Sequence, residues 1–265
     1  MRRRFFVDQF HGGSAILRGD TANHLGRVLR AEPGQLFELS DGEALWLART
    51  ETIGREEIHF SLVEEIPVQP APLHITLLLA VVKFDHFEWA IEKATELGAD
   101  EIVPLAAERS EHGLIAAAAK RAQRWERILS ESAQQSRRLR IPSLREASKP
   151  REAFSGVAAQ VCLLLSERSG ASPLRALLEP AAAAVVGNGV TSVSIAIGPE
   201  GGWTDAEFSL ANAAGYSEAA LGANIMRTET AVCAALAAVQ YAFGAFRPSA
   251  APSGPRPNRE RIIRD

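Results

Sequence analysis

Two short stretches in the second half of the chain combine residue types and spacing suited to ligand chemistry. In the first, the apolar run Ser194-Ile195-Ala196-Ile197 leads into Gly198-Pro199-Glu200-Gly201-Gly202, and Thr204 with Glu207 then forms a Thr-x-x-Glu capping box that opens a helix. Glycines let a ligand approach bare backbone, and loops at the carboxyl ends of parallel strands are where α/β proteins bind ligands. An ordinary strand-to-helix turn needs neither three glycines, nor a fixed proline, nor a carboxylate. The loop lacks both the Gly-x-Gly-x-x-Gly of a dinucleotide site and the Gly-Lys-Ser/Thr of a phosphate loop, so phosphate cradling is disfavoured. Its surroundings agree: between residues 191 and 230 five carboxylates stand against a single arginine. That balance permits an uncharged or sulfonium-bearing nucleoside.

The second stretch is Leu221-Gly222-Ala223-Asn224-Ile225-Met226-Arg227-Thr228-Glu229-Thr230-Ala231. Thr228 suits an N-cap and Glu229 suits the first turn of the following helix, where a carboxylate meets the positive end of the macrodipole. Capping accounts for the threonines but not for Arg227, which sits just before the helix with carboxylates on either side in sequence. All six histidines (His11, His24, His59, His74, His86, His112) precede this half, so neither loop contains a histidine base. Cys162 and Cys233 lie far apart without Cys-x-x-Cys or histidine spacing. They read as buried reduced thiols and support neither a disulfide framework nor a metal site.

These loops need elements to hold them. At roughly 150 residues per domain, 265 residues imply about two domains, and a 46% hydrophobic share can fill two cores. Residues 3–7, 15–17, 35–40, 44–53 and 58–63 read as short strands, interrupted by one helix over 23–30 with Asp20 or Thr21 as its cap. That is the pattern of a small β-barrel over residues 1–68. Pro67, Pro70 and Pro72 form a stiff connector. From residue 72 to 246 strands (73–82, 101–105, 161–166, 193–198) alternate with helices (84–97, 116–136, 173–178, 205–214, 228–246). Such alternation gives an α/β fold with a mainly parallel sheet. Residues 247–265, rich in Pro, Ser and Arg, read as a flexible tail.

The sequence pI of about 6.1 argues against a protein that is basic throughout, but charge is segmental. Residues 1–30 carry six cations against two carboxylates, and residues 109–151 carry eleven against four. Two arginine-rich regions flanking an acidic one point to a polyanion gripped by some parts while another part holds a different ligand; for residues 120–127 a solvated helix face is the competing explanation. Asp8, Gln9 and His11 interrupt the apolar stretch after Met1-Arg2-Arg3-Arg4 before it reaches signal-peptide length, and no apolar run approaches the ~20 residues that span a bilayer. A soluble, cytoplasmic protein is expected.

With these residues in view, the chain resembles the SPOUT, or trefoil-knot, methyltransferases, and more closely the RsmE family, which methylates N3 of a uridine in small-subunit (16S) ribosomal RNA. The resemblance is carried by Gly198 to Gly202, Leu221-Gly222 and Ile225 to Ala231. Further matches are His24-Leu25-Gly26-Arg27-Val28-Leu29-Arg30 with Pro33-Gly34, Glu92 to Gly98, Pro104, Glu108-Arg109, Gln135-Ser136, Arg138, Arg140 and Pro142. The chain departs from the family pattern at His86, Gln134, Arg137 and Met226. The resemblance implies a PUA-like barrel joined to a homodimeric, deeply knotted catalytic domain, an exception to the rule that chains do not thread loops.

It also implies S-adenosyl-L-methionine as cofactor, lined by Ser166, Gly198, Pro199, Glu200, Gly201, Gly202, Leu221, Gly222, Ile225, Met226, Arg227, Thr228 and Thr230. A small-ribosomal-subunit RNA would be held by Arg2, Arg3, Arg4, His24, Arg27, Arg30, Arg138 and Arg140. N3 of uracil must lose its proton before an in-line methyl transfer. A cation would stabilise the developing imidate, a role open to Arg227 or Arg109, and a carboxylate or water would accept the proton, a role open to Glu200 or Glu229. Two alternatives stand beside this reading: a related trefoil-knot enzyme acting on transfer RNA or another ribosomal site, and a catalytically inert RNA-binding homologue.

Overall fold

A computed structural model describes residues 3–68, 73–184 and 191–243. Arg2, Pro70, Pro72 and the 247–265 tail lie outside the described residues. Strands β1 (Arg4–Phe6), β2 (Phe10–His11), β3 (Ser14–Arg18), β4 (Leu36–Ser40), β5 (Leu45–Ile53) and β6 (Glu57–Glu65) form one sheet in the order β1-β4-β5-β6-β3-β2. Alternate side chains turn inward, and the sheet curls into a half-barrel around Phe5, Leu17, Leu39, Ile58 and Phe60. The helix expected over 23–30 is different in form. Helix α1 spans Gly19–Asn23 and runs into a π-helical turn over His24–Val28, with no side-chain cap from Asp20 or Thr21. Gly19 starts this segment at a φ of +67°, with its amide bonded to the Glu56 carbonyl, so backbone geometry supplies the helix start that a capping side chain was expected to make. Arg30 leaves it at a φ of +50°.

The second sheet contains β7 (Leu73–Ala80), β8 (Glu101–Leu105), β9 (Ser143–Leu144), β10 (Val161–Leu165), β11 (Ser172–Pro173), β12 (Thr191–Ile197) and β13 (Ser217–Ala220). All its pairings are parallel, in the order β11-β13-β10-β12-β7-β8-β9. Strands β7 and β12 pair centrally, Leu73 opposite Thr191 through Leu79 opposite Ile197. Both of their faces are covered, which is why residues 73–82 read as a near-continuous apolar run. Helices α2 (Phe84–Glu96), α3 (His112–Gln135), α5 (Leu174–Ala184) and α7 (Thr228–Ala242) contribute to the core on one face. Helices α4 (Pro150–Gly156) and α6 (Asp205–Ala213) build a second core around Phe154, Trp203 and Tyr216 on the other. Where α2 ends, Gly98 adopts a φ of +92°, and a Cβ there would collide with the Gln240 amide, which donates to the Leu97 carbonyl at 3.0 Å. That contact ties α7 to α2.

A polar strip joins the two sheets. The Arg4 guanidinium donates to Glu38 at 2.9 Å and to the Arg137 carbonyl at 2.6 Å, and Arg137 itself pairs with Glu38 at 3.2 Å. Ser40 Oγ donates to the Leu139 carbonyl at 2.7 Å, and Arg140 Nε donates to the Gly42 carbonyl. Arg138 turns the other way, capping the carbonyls of Thr95 and Ala99 and pairing with Asp100 at 2.6 Å. No helix among the described residues is long and apolar enough to cross a membrane.

Candidate functional site

The carboxyl end of β12 delivers the chain to Gly198 at the middle of the parallel sheet. A Cβ on Gly198 would sit 3.0 Å from the Trp203 ring, which lies buried with Nε1 donating to the Leu165 carbonyl at 3.0 Å. The missing side chain thus lets an indole support the loop from below. The loop turns on a bond from the Gly202 amide to the Pro199 carbonyl at 2.8 Å, and Gly202 takes a φ of +68°. Pro199 is buried, whereas Glu200 and Gly201 are exposed, and the Glu200 carboxylate has no hydrogen-bond partner among the described residues.

Two neighbouring segments fasten this loop. Arg109 donates to the Gly201 carbonyl at 2.7 Å, and its stem lies close enough that a Cβ on Gly201 would meet it at 3.2 Å. Beside it, the Glu108 amide donates to buried Glu207 at 2.9 Å, and Thr204 Oγ1 bridges to the Glu108 carboxylate at 2.9 Å. The Thr204–Glu207 capping box is present at the start of α6. The second fastening is Thr228 Oγ1, which donates to the Gly198 carbonyl at 3.1 Å. Thr228 is therefore the first residue of α7 rather than its cap, with Arg227 in the N-cap position, and its hydroxyl serves to clasp the two loops.

The remaining site candidates divide by exposure. Ile225, Arg227 and Thr230 are exposed, Ile225 at 78%, while Met226 and Leu221 pack against the core. Gly222 is exposed, and a Cβ there would find nothing within 4 Å. Glu229 turns inward, facing His86 Nδ1 at 3.4 Å without a hydrogen bond, and its second oxygen is buried and unpartnered. Sequence reasoning had assigned no role to His86; its place two residues into α2 gave no signal of what it would face. Ser166 Oγ donates to Glu218 at 3.1 Å and accepts the Arg168 amide, so it binds its own loop to β13. Next to Leu221 and Gly222 opens a cleft of about 1190 Å³ between α5 and α7, lined by apolar and small residues such as Leu174, Leu178, Ala220, Ala234 and Ala238.

Among the candidates for holding a polyanion, Arg3, His24, Arg27, Arg30 and Arg140 are exposed. Arg4 and Arg138 require a correction. Their side chains are only 11% and 14% exposed; the Arg4 guanidinium is taken up by Glu38 and the Arg137 carbonyl in the strip between the sheets, and that of Arg138 by Asp100 and the carbonyls of Thr95 and Ala99 around the end of α2. Buried and already bonded, these two guanidinium groups serve the fold and are set apart from the exposed cations. Burial lowers the Arg138 guanidinium's proton affinity, against the pull of Asp100. Cys162 and Cys233 are free thiols, both pushed up by burial.

The comparisons with known proteins agree with this architecture. Residues 69–240 match an RNA methyltransferase domain, and residues 17–63 match an RNA methyltransferase PUA domain. A protein named ribosomal RNA small subunit methyltransferase E from Synechocystis is 34% identical over 221 residues, covering 82% of this chain and 69% of its own length. A protein of the same name from Mycobacterium tuberculosis is 31% identical, covering 89% of this chain and 90% of its own. The crystal structure of a ribosomal RNA small subunit methyltransferase E from Neisseria gonorrhoeae, bound to S-adenosyl methionine, superimposes with a TM-score of 0.80 at 29% identity, over 91% of this chain and 98% of that one. With a half-barrel of the PUA type, a parallel sheet ending in two clasped loops, and these relatives spanning both sheets, the chain belongs to the RsmE family of RNA methyltransferases.

Proposed function

We propose that this chain transfers a methyl group from S-adenosyl-L-methionine to N3 of a uridine in small-subunit (16S) ribosomal RNA, working as a homodimer whose catalytic domain is threaded into a trefoil knot. The observation that carries this reading is the clasp from Thr228 to Gly198. It ties the Gly198–Gly202 loop to the start of α7, and Leu221 to Ala223, just upstream of α7, line an apolar cleft suited to a nucleoside-bearing, uncharged-to-cationic ligand. The residues fit that cofactor. Gly222 lines the cleft with bare backbone, and Glu200, exposed and without a hydrogen-bond partner among the described residues, favours a sulfonium over a phosphate. The cofactor supplies an electrophilic methyl group. The protein supplies position: Gly198 to Gly202, Leu221, Gly222 and Ile225 to Thr230 line the cofactor mostly through backbone, with Ser166 shaping the neighbouring loop.

Arg227, exposed at the start of α7, offers charge to the uracil oxygen on which the imidate develops. Glu200, exposed at the tip of the first loop, or a water it holds, accepts the N3 proton. Arg109 fixes the loop that carries Glu200, and Glu229 faces His86 in the first turn of α7. N3 is occupied in a base pair, so the target must be unpaired or extruded. Arg3, Arg27, Arg30, Arg140 and His24 are proposed to follow the phosphates. The large exposed apolar side chains Ile225 and Tyr241, the latter 81% exposed, support a subunit contact beside the second loop.

Isothermal titration calorimetry with S-adenosyl-L-methionine, followed by transfer of labelled methyl to small-subunit ribosomal RNA, tests the reading. Micromolar cofactor binding and label on a uridine are expected. Binding without transfer to this RNA would favour a different RNA substrate, and no cofactor binding would favour the inert homologue.

A further inference from the structure

A groove of about 660 Å³ lies between the half-barrel and α3, with a different lining from the two clasped loops. Its volume falls in the ordinary range for a small-ligand site, roughly 300–1,000 Å³. Its walls are fixed to one another by the bonds from Ser40 to the Leu139 carbonyl and from Arg140 to the Gly42 carbonyl, so the space is built into the fold. Half-buried Phe6, whose ring can stack on a base, and Ile16, with exposed Ile141, supply apolar surface to the groove.

The polar lining has an unexpected sign. Asp8 and Glu43 are exposed, line the groove, and have no side-chain hydrogen-bond partner among the described residues. Asp41 joins them; its Oδ1 accepts the amides of Glu43 and Ala44. Three carboxylates would repel a phosphate. They are, however, the acceptors that the exocyclic amino group of a base requires, a group that uracil lacks. Arg18 and Arg140 stand in the same lining and can take the flanking phosphates. Thr21, also in the lining, belongs to α1, which continues directly into the turn bearing Arg27.

We infer that this groove receives an unpaired, amino-bearing base of the RNA substrate (guanine, cytosine or adenine), distinct from the uridine that is methylated. The inference rests on the RNA methyltransferase reading above. It gives the half-barrel a means of reading sequence as well as charge. The test is the double variant Asp8→Asn, Glu43→Gln, in which both changes are near-isosteric and exposed, with folding checked by thermal melting. Binding is measured by fluorescence anisotropy at fixed salt with two probes of equal length, a small-subunit ribosomal RNA fragment and a uridine-only oligonucleotide.

Removing two negative charges from a protein that binds a polyanion should by electrostatics alone tighten both complexes. The proposal requires the opposite for the mixed-sequence fragment, a weakening of about tenfold, with the uridine-only probe unchanged or tighter. Equal or tighter binding of the mixed fragment overturns the groove assignment while leaving the methyltransferase reading intact. Failure of the wild-type protein to bind either RNA overturns both.

Discussion

Residues 137–140 and the helical turn over residues 24–30 are both rich in arginine, yet the structure treats the two regions in opposite ways. In the first, Arg137 and Arg138 are drawn into ion pairs with Glu38 and Asp100, and Arg140 is bonded to the Gly42 carbonyl. In the second, Arg27 and Arg30 are exposed and have no side-chain hydrogen bond or ion pair among the described residues. The same residue type therefore sets the geometry between half-barrel and catalytic sheet in one place and offers charge to solvent in the other. Local charge density does not separate these roles. Pairing with carboxylates distant in sequence does, since Glu38 lies 99 positions from Arg137 and Asp100 lies 38 from Arg138.

This contrast can be broken by mutation, and the largest effect is expected at the buried end. Arg138→Ala removes the arginine paired with Asp100 and leaves two carbonyls without this donor, and should cost about 3 kcal/mol of stability by chemical denaturation; a loss below about 0.5 kcal/mol would mean that the pair is as inconsequential as a surface one. Arg27→Ala with Arg30→Ala should instead leave stability within about 0.5 kcal/mol, while the salt dependence of RNA binding falls by about two phosphate contacts. An unchanged salt slope would remove both residues from the RNA surface, and a loss of cofactor affinity would defeat the assignment.

A smaller effect is expected at the clasp between the loops. Thr228→Val deletes one hydrogen bond to Gly198 and should cost about 1 kcal/mol. Under the proposed function the larger share of the damage should appear as weakened cofactor binding in calorimetry, with RNA affinity preserved. If RNA affinity falls instead, the clasp belongs to the RNA side of the comparison.

The smallest effect is one of pH. Burial pushes the Tyr216 phenol up to about 12, against the opposing hydrogen bond with Ser194 at 2.7 Å. Its folded-state pKa thus lies above the ordinary value near 10, so its contribution to stability is whole below pH 10 and is lost as the pH rises toward 12. Thermal melts of wild type and Tyr216→Phe across pH 9–12 should converge as the pH rises. A constant gap would mean that Tyr216 does not titrate in this window.

Much of the architecture was legible in the sequence because its signals are local. The near-continuous apolar run of residues 73–82 marks a strand buried on both faces, and Thr204 with Glu207 marks the start of α6. Strand β6 ends at Glu65 and β7 begins at Leu73, with Pro67 after the first; Pro70 and Pro72 lie outside the described residues. What was not legible depends on long-range packing or on backbone conformation. The π-helical turn over His24–Val28 follows from Gly19 taking a positive φ, and a glycine does not announce which φ it will adopt. The short strand β13 and helix α4 carry little periodicity of their own and exist through their contacts with β10 and α6. In the candidate site the glycine loop and Arg227 stood out by composition. The facing of His86 and Glu229, the support of Gly198 by Trp203 and the consumption of Arg4 and Arg138 all arise between residues far apart in the chain.

The central claim is a methyl group on N3 of a uridine in small-subunit ribosomal RNA, and primer extension reads it directly because that methyl blocks Watson–Crick pairing and halts reverse transcriptase. RNA from cells lacking this protein should lose one strong stop at a uridine, and restoring the gene should bring it back. A stop pattern identical with and without the protein would contradict the account.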